Sequence, residues 1–404
     1  MTLFSRSWTL GIVAAGLVSL IACATATDDD DDNAMLGNGD GDGDGDGGAI
    51  SVPVTDPDAG SSSSPSDAGD ASLDGDSAAP VELCSVEGWC HVALPPDQTL
   101  RDVWGDGAGV VWSVSEQGNI LRWDGAEWSV HHTVTGALHA IWGSGPTDIW
   151  AGGEGGLFHG QGATSSAIAW TAVATPATLP VSSIWGSGSA DVWAVAGKAL
   201  TTTQPFVYQG QVLHYTGAAG WSLDPISSQP AAFSRVWGVR SASNSDVWIG
   251  GDMGPSKALV LRGAPDGEGS MAWTEEKVSV RKMTGGAAIA RDSVLILGND
   301  LYTVGSFFTG VTTNGGDSFD WTASDYGAGF NYFDAWGPAT NDIWLAGAYG
   351  RLHHWDGSSW GVARTAVTKF PISNTLHAIW GSGPDDVWVV GENIALHKRP
   401  TGKQ

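Results

Sequence analysis

Residues 138–150 read Leu-His-Ala-Ile-Trp-Gly-Ser-Gly-Pro-Thr-Asp-Ile-Trp, and residues 376–388 repeat them almost letter for letter as Leu-His-Ala-Ile-Trp-Gly-Ser-Gly-Pro-Asp-Asp-Val-Trp. Repetition of a whole supersecondary unit fixes the architecture before any finer assignment, because such a unit cannot bury its apolar face alone and must stack on copies of itself. The first tryptophan of the unit recurs as Trp104, Trp142, Trp185, Trp237, Trp336 and Trp380. The gap between Trp237 and Trp336 is about twice the others, which predicts a seventh, degenerate copy at residues 282–321. There Val294-Leu295-Ile296-Leu297-Gly298 stands where other copies carry an Asp-Val-Trp strand.

Each copy reads as four short strands. Strand a is typified by His139-Ala140-Ile141-Trp142, and a Gly-Ser-Gly-Pro turn leads into strand b, typified by Asp191-Val192-Trp193-Ala194-Val195. Strand c is typified by Leu352-His353-His354-Trp355, and Asp356-Gly357 opens strand d at Trp360. Asp-Gly between apolar strands is a hairpin signal, since glycine takes positive φ without steric cost. Strands a and b are apolar on both faces, as expected of sheets covered on both sides. Four-stranded sheets stacked radially in this way make a β-propeller. The fold class is therefore all-β, a seven-bladed propeller. All tryptophans but Trp8 fall on the repeat or on the strand beginning at Trp89, which assigns them to packing between blades.

The ends of the repeat array test this reading. The last copy stops after strand c, at Ala395-Leu396-His397-Lys398, and residues 87–93 before the first copy resemble a strand d. The N-terminal strand is expected to complete the last blade, closing the ring and removing two exposed edges.

Residues 1–22 carry Arg6, an apolar run over residues 8–21, and Ala22 in front of Cys23. The run is too short to span a bilayer, which takes about 20 apolar residues, and reads as the apolar part of a signal peptide. Leu20-Ile21-Ala22-Cys23 resembles the lipobox of bacterial lipoproteins. That resemblance implies a lipid-modified Cys23 as the mature N-terminus, and Ala24 in place of an inner-membrane retention aspartate implies the outer membrane. Residues 23–81 hold no Lys or Arg and fifteen of the 44 acidic residues, in runs of Asp, Gly and Ser. A segment so poor in large apolar groups is expected to be a disordered tether, because it cannot offset its chain entropy. The propeller domain is then residues 82–404. Setting Cys23 aside leaves Cys84 and Cys90, which are expected to pair in an exported protein; their spacing alone also fits two buried free thiols.

The formal charge of −26 argues against nucleic-acid binding, which needs clustered Lys and Arg. The Asp-Gly alternation at residues 39–48 lacks the closing Glu of an EF-hand and reads as spacer, so no metal or other cofactor is expected. Asp148, Asp191, Asp246, Asp342 and Asp386 share one repeat position and read as turn caps. His139 and His377 share a strand-a position, while His159, His214, His354 and His397 fall on strand c, so packing is favoured over metal ligation. The sequence contains no Gly-x-Ser-x-Gly elbow and no phosphate loop. No catalytic residue is assigned.

On the repeat residues, the chain resembles secreted repeat-propeller lipoproteins of Gram-negative soil bacteria. It also resembles Asp-box propellers, a group that includes sialidases, although Trp-Asp-Gly-x-x-Trp at residues 123–128 and 355–360 is one residue shorter than the Asp-box. The resemblance implies a cell-envelope binding or scaffolding module for a protein or glycan, with a sialidase-like hydrolase as the alternative. Loop variation points to the ligand face. The a–b turns are nearly uniform, whereas the b–c connections differ from blade to blade. Variable loops on a rigid scaffold tend to carry function, so Thr201, Gln204, Phe206, Tyr208, Asp252 and Lys257 are the candidate ligand-face residues.

Overall fold

The structure, a computed structural model, describes residues 83–399 apart from 202, 240–245, 268–269, 300–305, 326–330 and 369. The signal-peptide region, Cys23 and the acidic tether lie outside the described residues. Seven antiparallel sheets follow one another around a ring, six of them with strands a to d in chain order. Blade 1 has strands Leu100–Gly105, Val111–Ser115, Asn119–Trp123 and Trp128–Thr133. Blade 5, the degenerate copy, has strands Lys282–Ala290, Ser293–Asn299, Ser306–Val311 and Asp320–Asp325, where the spacing predicts them. Strand b is buried along its whole length in blade 1, in keeping with its apolarity on both faces.

Blade 7 closes the ring with the N-terminal strand. Strand Trp89–His91 pairs antiparallel with Ile394–Lys398 in the register Trp89↔Lys398, Cys90↔His397 and His91↔Leu396. The sequence reading did not anticipate a fifth strand, Leu83–Cys84, which folds back on the closing strand. Its register sets Cys84 opposite Cys90, with the two sulfurs at bonding distance, 2.11 Å.

The Trp-Gly of strand a, present in six of the seven blades, has a packing cause. The ring of Trp104 lies over Gly143 of the next blade, so that a Cβ there would meet it at 2.6 Å. Trp142 lies over Gly186, Trp185 over Gly238, Trp336 over Gly381 and Trp380 over Gly105 in the same way. Each strand-a tryptophan thus needs a residue without a side chain one blade ahead. Real Cβ atoms do not approach so closely, and interiors this dense cannot absorb the displacement cheaply.

A second repeated unit lies further out. In blades 2, 3, 6 and 7 the strand-c histidine stacks on the strand-b tryptophan: His159 on Trp150, His214 on Trp193, His354 on Trp344 and His397 on Trp388, with centroids 3.7–4.0 Å apart. Each imidazole reaches the aspartate that begins strand b, with Nε2 2.6–2.7 Å from Asp148, Asp191, Asp342 and Asp386. Ser144, Ser187 and Ser382 donate to the other carboxylate oxygen of their own blade's aspartate. The aspartates therefore do more than cap a turn: they tie the a–b turn to strand c. Burial pushes the Asp148 and Asp191 carboxyls up, but the bonds from histidine and serine outweigh it and hold both below the ordinary value. At Asp386 the bond from His397 is the largest influence and acts in the same direction.

Candidate functional site

Strand a is the innermost strand, so one residue per blade can face the axis. The position three before the strand-a tryptophan does so in every blade. Arg101, His139, Ser182, Ser234, Thr284, Phe333 and His377 together line a cavity of about 630 Å³, with Arg235, Thr375 and Glu392. Glu392 belongs to the b–c turn of blade 7 and Thr375 immediately precedes its strand a. The cavity therefore opens on the face that carries the b–c and d–a connections.

Unlike the apolar columns of the repeat, this column carries five residue types in seven copies, and the mouth is accordingly asymmetric. Arg101 contacts the His377 ring at 3.2 Å and pairs with Glu116 at 3.1 Å. Phe333 lies beside His377 with centroids 5.8 Å apart. Burial first, then the Arg101 guanidinium, lowers the His377 pKa to about 4, and the same two causes lower that of His139. Both rings line the mouth as neutral imidazoles near pH 7 and offer one donor and one acceptor each. This corrects their assignment to packing.

One residue further along strand a, a second tier joins neighbouring blades. Asp102 of blade 1 accepts the Ile141 N–H of blade 2 at 2.8 Å, and Asp334 of blade 6 accepts the Ile379 N–H of blade 7 at 3.0 Å. Ser183 of blade 3 both accepts the Val236 N–H and donates to the Val236 carbonyl of blade 4. The second oxygen of each aspartate accepts the N–H of the following residue, Val103 or Ala335. Arg235 occupies the same position in blade 4 and donates to the Phe333 carbonyl at 3.0 Å. Burial pushes the Asp102 carboxyl up to about 7 and raises that of Asp334, with Arg235 pulling both back. Both side chains keep some exposure, but burial remains the largest influence on each carboxyl.

The residues singled out from loop variation lie elsewhere on the same face. Strands b and c of blade 3, Asp191–Ala199 and Tyr208–Tyr215, run on past strand a as a paired hairpin that includes Ala199↔Tyr208. Thr201 closes its tip, donating to the Pro205 carbonyl and accepting the Val207 N–H. Gln204 is exposed, Phe206 and Tyr208 are half-buried, and Leu200 and Val207 expose apolar surface. In blade 4, Asp252 is a strand residue whose carboxylate accepts the Met283 N–H of blade 5 at 3.3 Å, while Lys257 is exposed at the hairpin turn. None of these six residues lines the axial cavity. Reading the repeat by columns instead of by loops would have found the mouth, since the positions three and two before the tryptophan are the polar, variable columns of strand a. Among the described residues no group of three or more His, Cys, Asp or Glu is placed to hold a metal ion.

No family model matches the sequence and no curated protein matches it. Solved structures do. The chain is similar to YCF48 bound to D1 peptide, at 15% identity with a TM-score of 0.57, over 79% of this chain and 99% of that one. It is similar to YCF48 from Cyanidioschyzon merolae at 16% identity and a TM-score of 0.56, over 78% and 99%. It is also similar to the WD40 repeats of RRP9 at 10% identity and a TM-score of 0.58, over 78% and 98%. At these identities the likeness is one of fold, and it places the described part of the chain among β-propellers.

Proposed function

We propose that this chain is a binding module of the cell envelope, which receives a polar segment of a protein partner at the axial mouth and is held at the membrane by a lipid on Cys23. The observation that carries the reading is the convergence of seven side chains of five types, one per blade, on a single cavity. Along most of the repeat, equivalent positions serve packing or join the blades. At the mouth it presents a cation, neutral imidazoles, hydroxyls, a phenyl ring and a carboxylate around one concavity. Such a set suits a ligand with both donors and acceptors, as a peptide backbone has. That one propeller of similar fold is described as bound to a peptide is compatible with this. The blade-3 hairpin stands on the same face and would extend the contact beyond the mouth. A glycan partner is the variant to test beside it. A sialidase-type hydrolase would need a tyrosine nucleophile, and among the described residues no tyrosine lines the cavity.

The test uses the chain as bait in envelope extract, with the captured partner then titrated as a purified protein. Arg101→Ala and Phe333→Ala are each expected to weaken binding about tenfold, the equivalent of ~1.4 kcal/mol, while Gln204→Ala changes it less. Undiminished binding by both mouth variants would overturn the site. Cys23→Ala is expected to abolish lipid labelling and membrane fractionation; normal labelling in that variant would refute the anchor independently.

A further inference from the structure

At six of the seven blade junctions the strand-b tryptophan meets an aromatic side chain on the outer strands of the next blade. The pairs are Trp112 with Trp170, Trp150 with Trp221, Trp193 with Trp273, Trp248 with Trp321, Trp344 with Trp89 and Trp388 with Trp128, at centroid separations of 5.1–6.2 Å. Blade 5 breaks the series. Leu295 holds the tryptophan position, as its pairing with Ala287 and the place of Gly298 three residues on both require. Thr309, paired with Leu295, holds the position of the stacked histidine, and Ser293 that of the aspartate.

The aromatic wall that would receive the missing indole is nevertheless present. Trp355 and Trp360 of blade 6 occupy the places that Tyr215 and Trp221 occupy in blade 3, where both pack on Trp150. Between that wall and Leu295 lies an open cleft of about 480 Å³, lined further by Phe307, Ile343, Thr309 and Thr340. Phe307 covers part of Trp360, at 5.0 Å, without filling the space. The cleft is within the size range of small-molecule sites, mainly apolar with a few polar groups at its edge.

We propose that this cleft is a binding site for a small planar aromatic molecule of the indole class, seated where the other blades seat their own tryptophan. The occupant's shape is given by those six junctions: a flat bicyclic ring set edge-on to a tryptophan, with an apolar floor. Edge-to-face aromatic pairs add to the area they bury, and an apolar hole lined by such groups takes up a ring of matching shape. The cleft lies at the a–b and c–d turns of blades 5 and 6, on the opposite face from the axial mouth, so its occupancy is independent of the partner proposed above.

Indole itself is the probe. Calorimetric titration of the chain with indole is expected to show one saturable site, and saturating indole is expected to raise the melting temperature. Cyclohexanol, apolar but not planar, is expected to bind at least about tenfold more weakly. Leu295→Trp combined with Thr309→His restores the internal pair and is expected to lower indole affinity by about tenfold or more, with the melting temperature unchanged or raised. If that variant does not fold, Trp360→Ala removes the wall instead and carries the same expected loss. No saturable binding by the native chain overturns the proposal, as does equal affinity for cyclohexanol or undiminished binding by a folded variant.

Discussion

Trp89→Ala is expected to lower the stability of the propeller by about 3–5 kcal/mol, the usual cost of truncating a fully buried tryptophan. Trp89 has no exposed surface and packs edge-on against Trp344 of blade 6, within a cluster that includes Leu352, Leu376 and Leu396. It is the only tryptophan of the closing strand, which holds the ring shut through three paired residues and flanking backbone bonds at Gly88 and Val92. The cavity left by its removal would sit at the junction of chain ends, where neighbouring strands have least freedom to close over it without opening the ring. For a domain of this size the loss corresponds to a fall in melting temperature of roughly 5–8 °C. Val86→Ala, at a side chain 81% exposed beside the same strand, is the control and should melt like the native chain. Deleting residues 1–99 should have a larger effect than Trp89→Ala, and deleting residues 1–81 almost none. Equal melting of the two truncated chains would show that the ring does not depend on this strand.

The closing strand was legible because it is a strand d displaced to the other end of the chain, and the repeat made its absence from the last blade visible. The degenerate blade was legible from spacing alone, since a ring leaves no room for a gap of two units. What escaped the sequence reading has a common cause. The partnership of Asp148 with His159 joins residues eleven apart on paired strands, and only the register of strands b and c brings them together. A column such as Arg101, His139, Ser182 and Phe333 looks like noise within a repeat, because the residue type changes from copy to copy with no pattern. Its meaning is set by the axis, which no single blade contains. Asp252 illustrates the converse: by composition it sits in a variable loop, yet its carboxylate is committed to the backbone of Met283. The aromatic cleft could have been found in the sequence by asking what Trp355 and Trp360 pack against once Leu295 is aligned with the tryptophans.

Asp102→Asn is expected to stabilise the chain at pH 8 relative to the native protein and to leave it little changed at pH 4. In the folded state burial pushes the Asp102 carboxyl from its ordinary value of 3.8 up to about 7. Between those values the folded chain retains a proton that the unfolded chain has released. Stability from this group is therefore greatest below about pH 4, is lost as pH rises toward 7, and is flat beyond. Asp334 adds in the same direction. His353 and His377, lowered to about 4 by burial, act oppositely, costing stability as pH falls from 6.5 through 4. The overall profile mixes the two, so the quantity to measure is the difference between variant and native chain across pH, in which His353 and His377 cancel and Asp102, with its coupling to Asp334, does not. A shift of about three units would set a ceiling near 4 kcal/mol. The residual exposure of Asp102 to the axis reduces this to roughly 1–3 kcal/mol. Asparagine can still accept the Ile141 N–H through its amide oxygen, so the joint between blades 1 and 2 is kept while the charge is removed. Denaturant titrations at pH 4, 6 and 8 should show the difference opening between the first and the last. A difference that is constant across this range, or one that favours the native aspartate at pH 8, would mean that Arg235 or water solvates the carboxylate well. The axial tier would then carry its full negative charge at neutral pH.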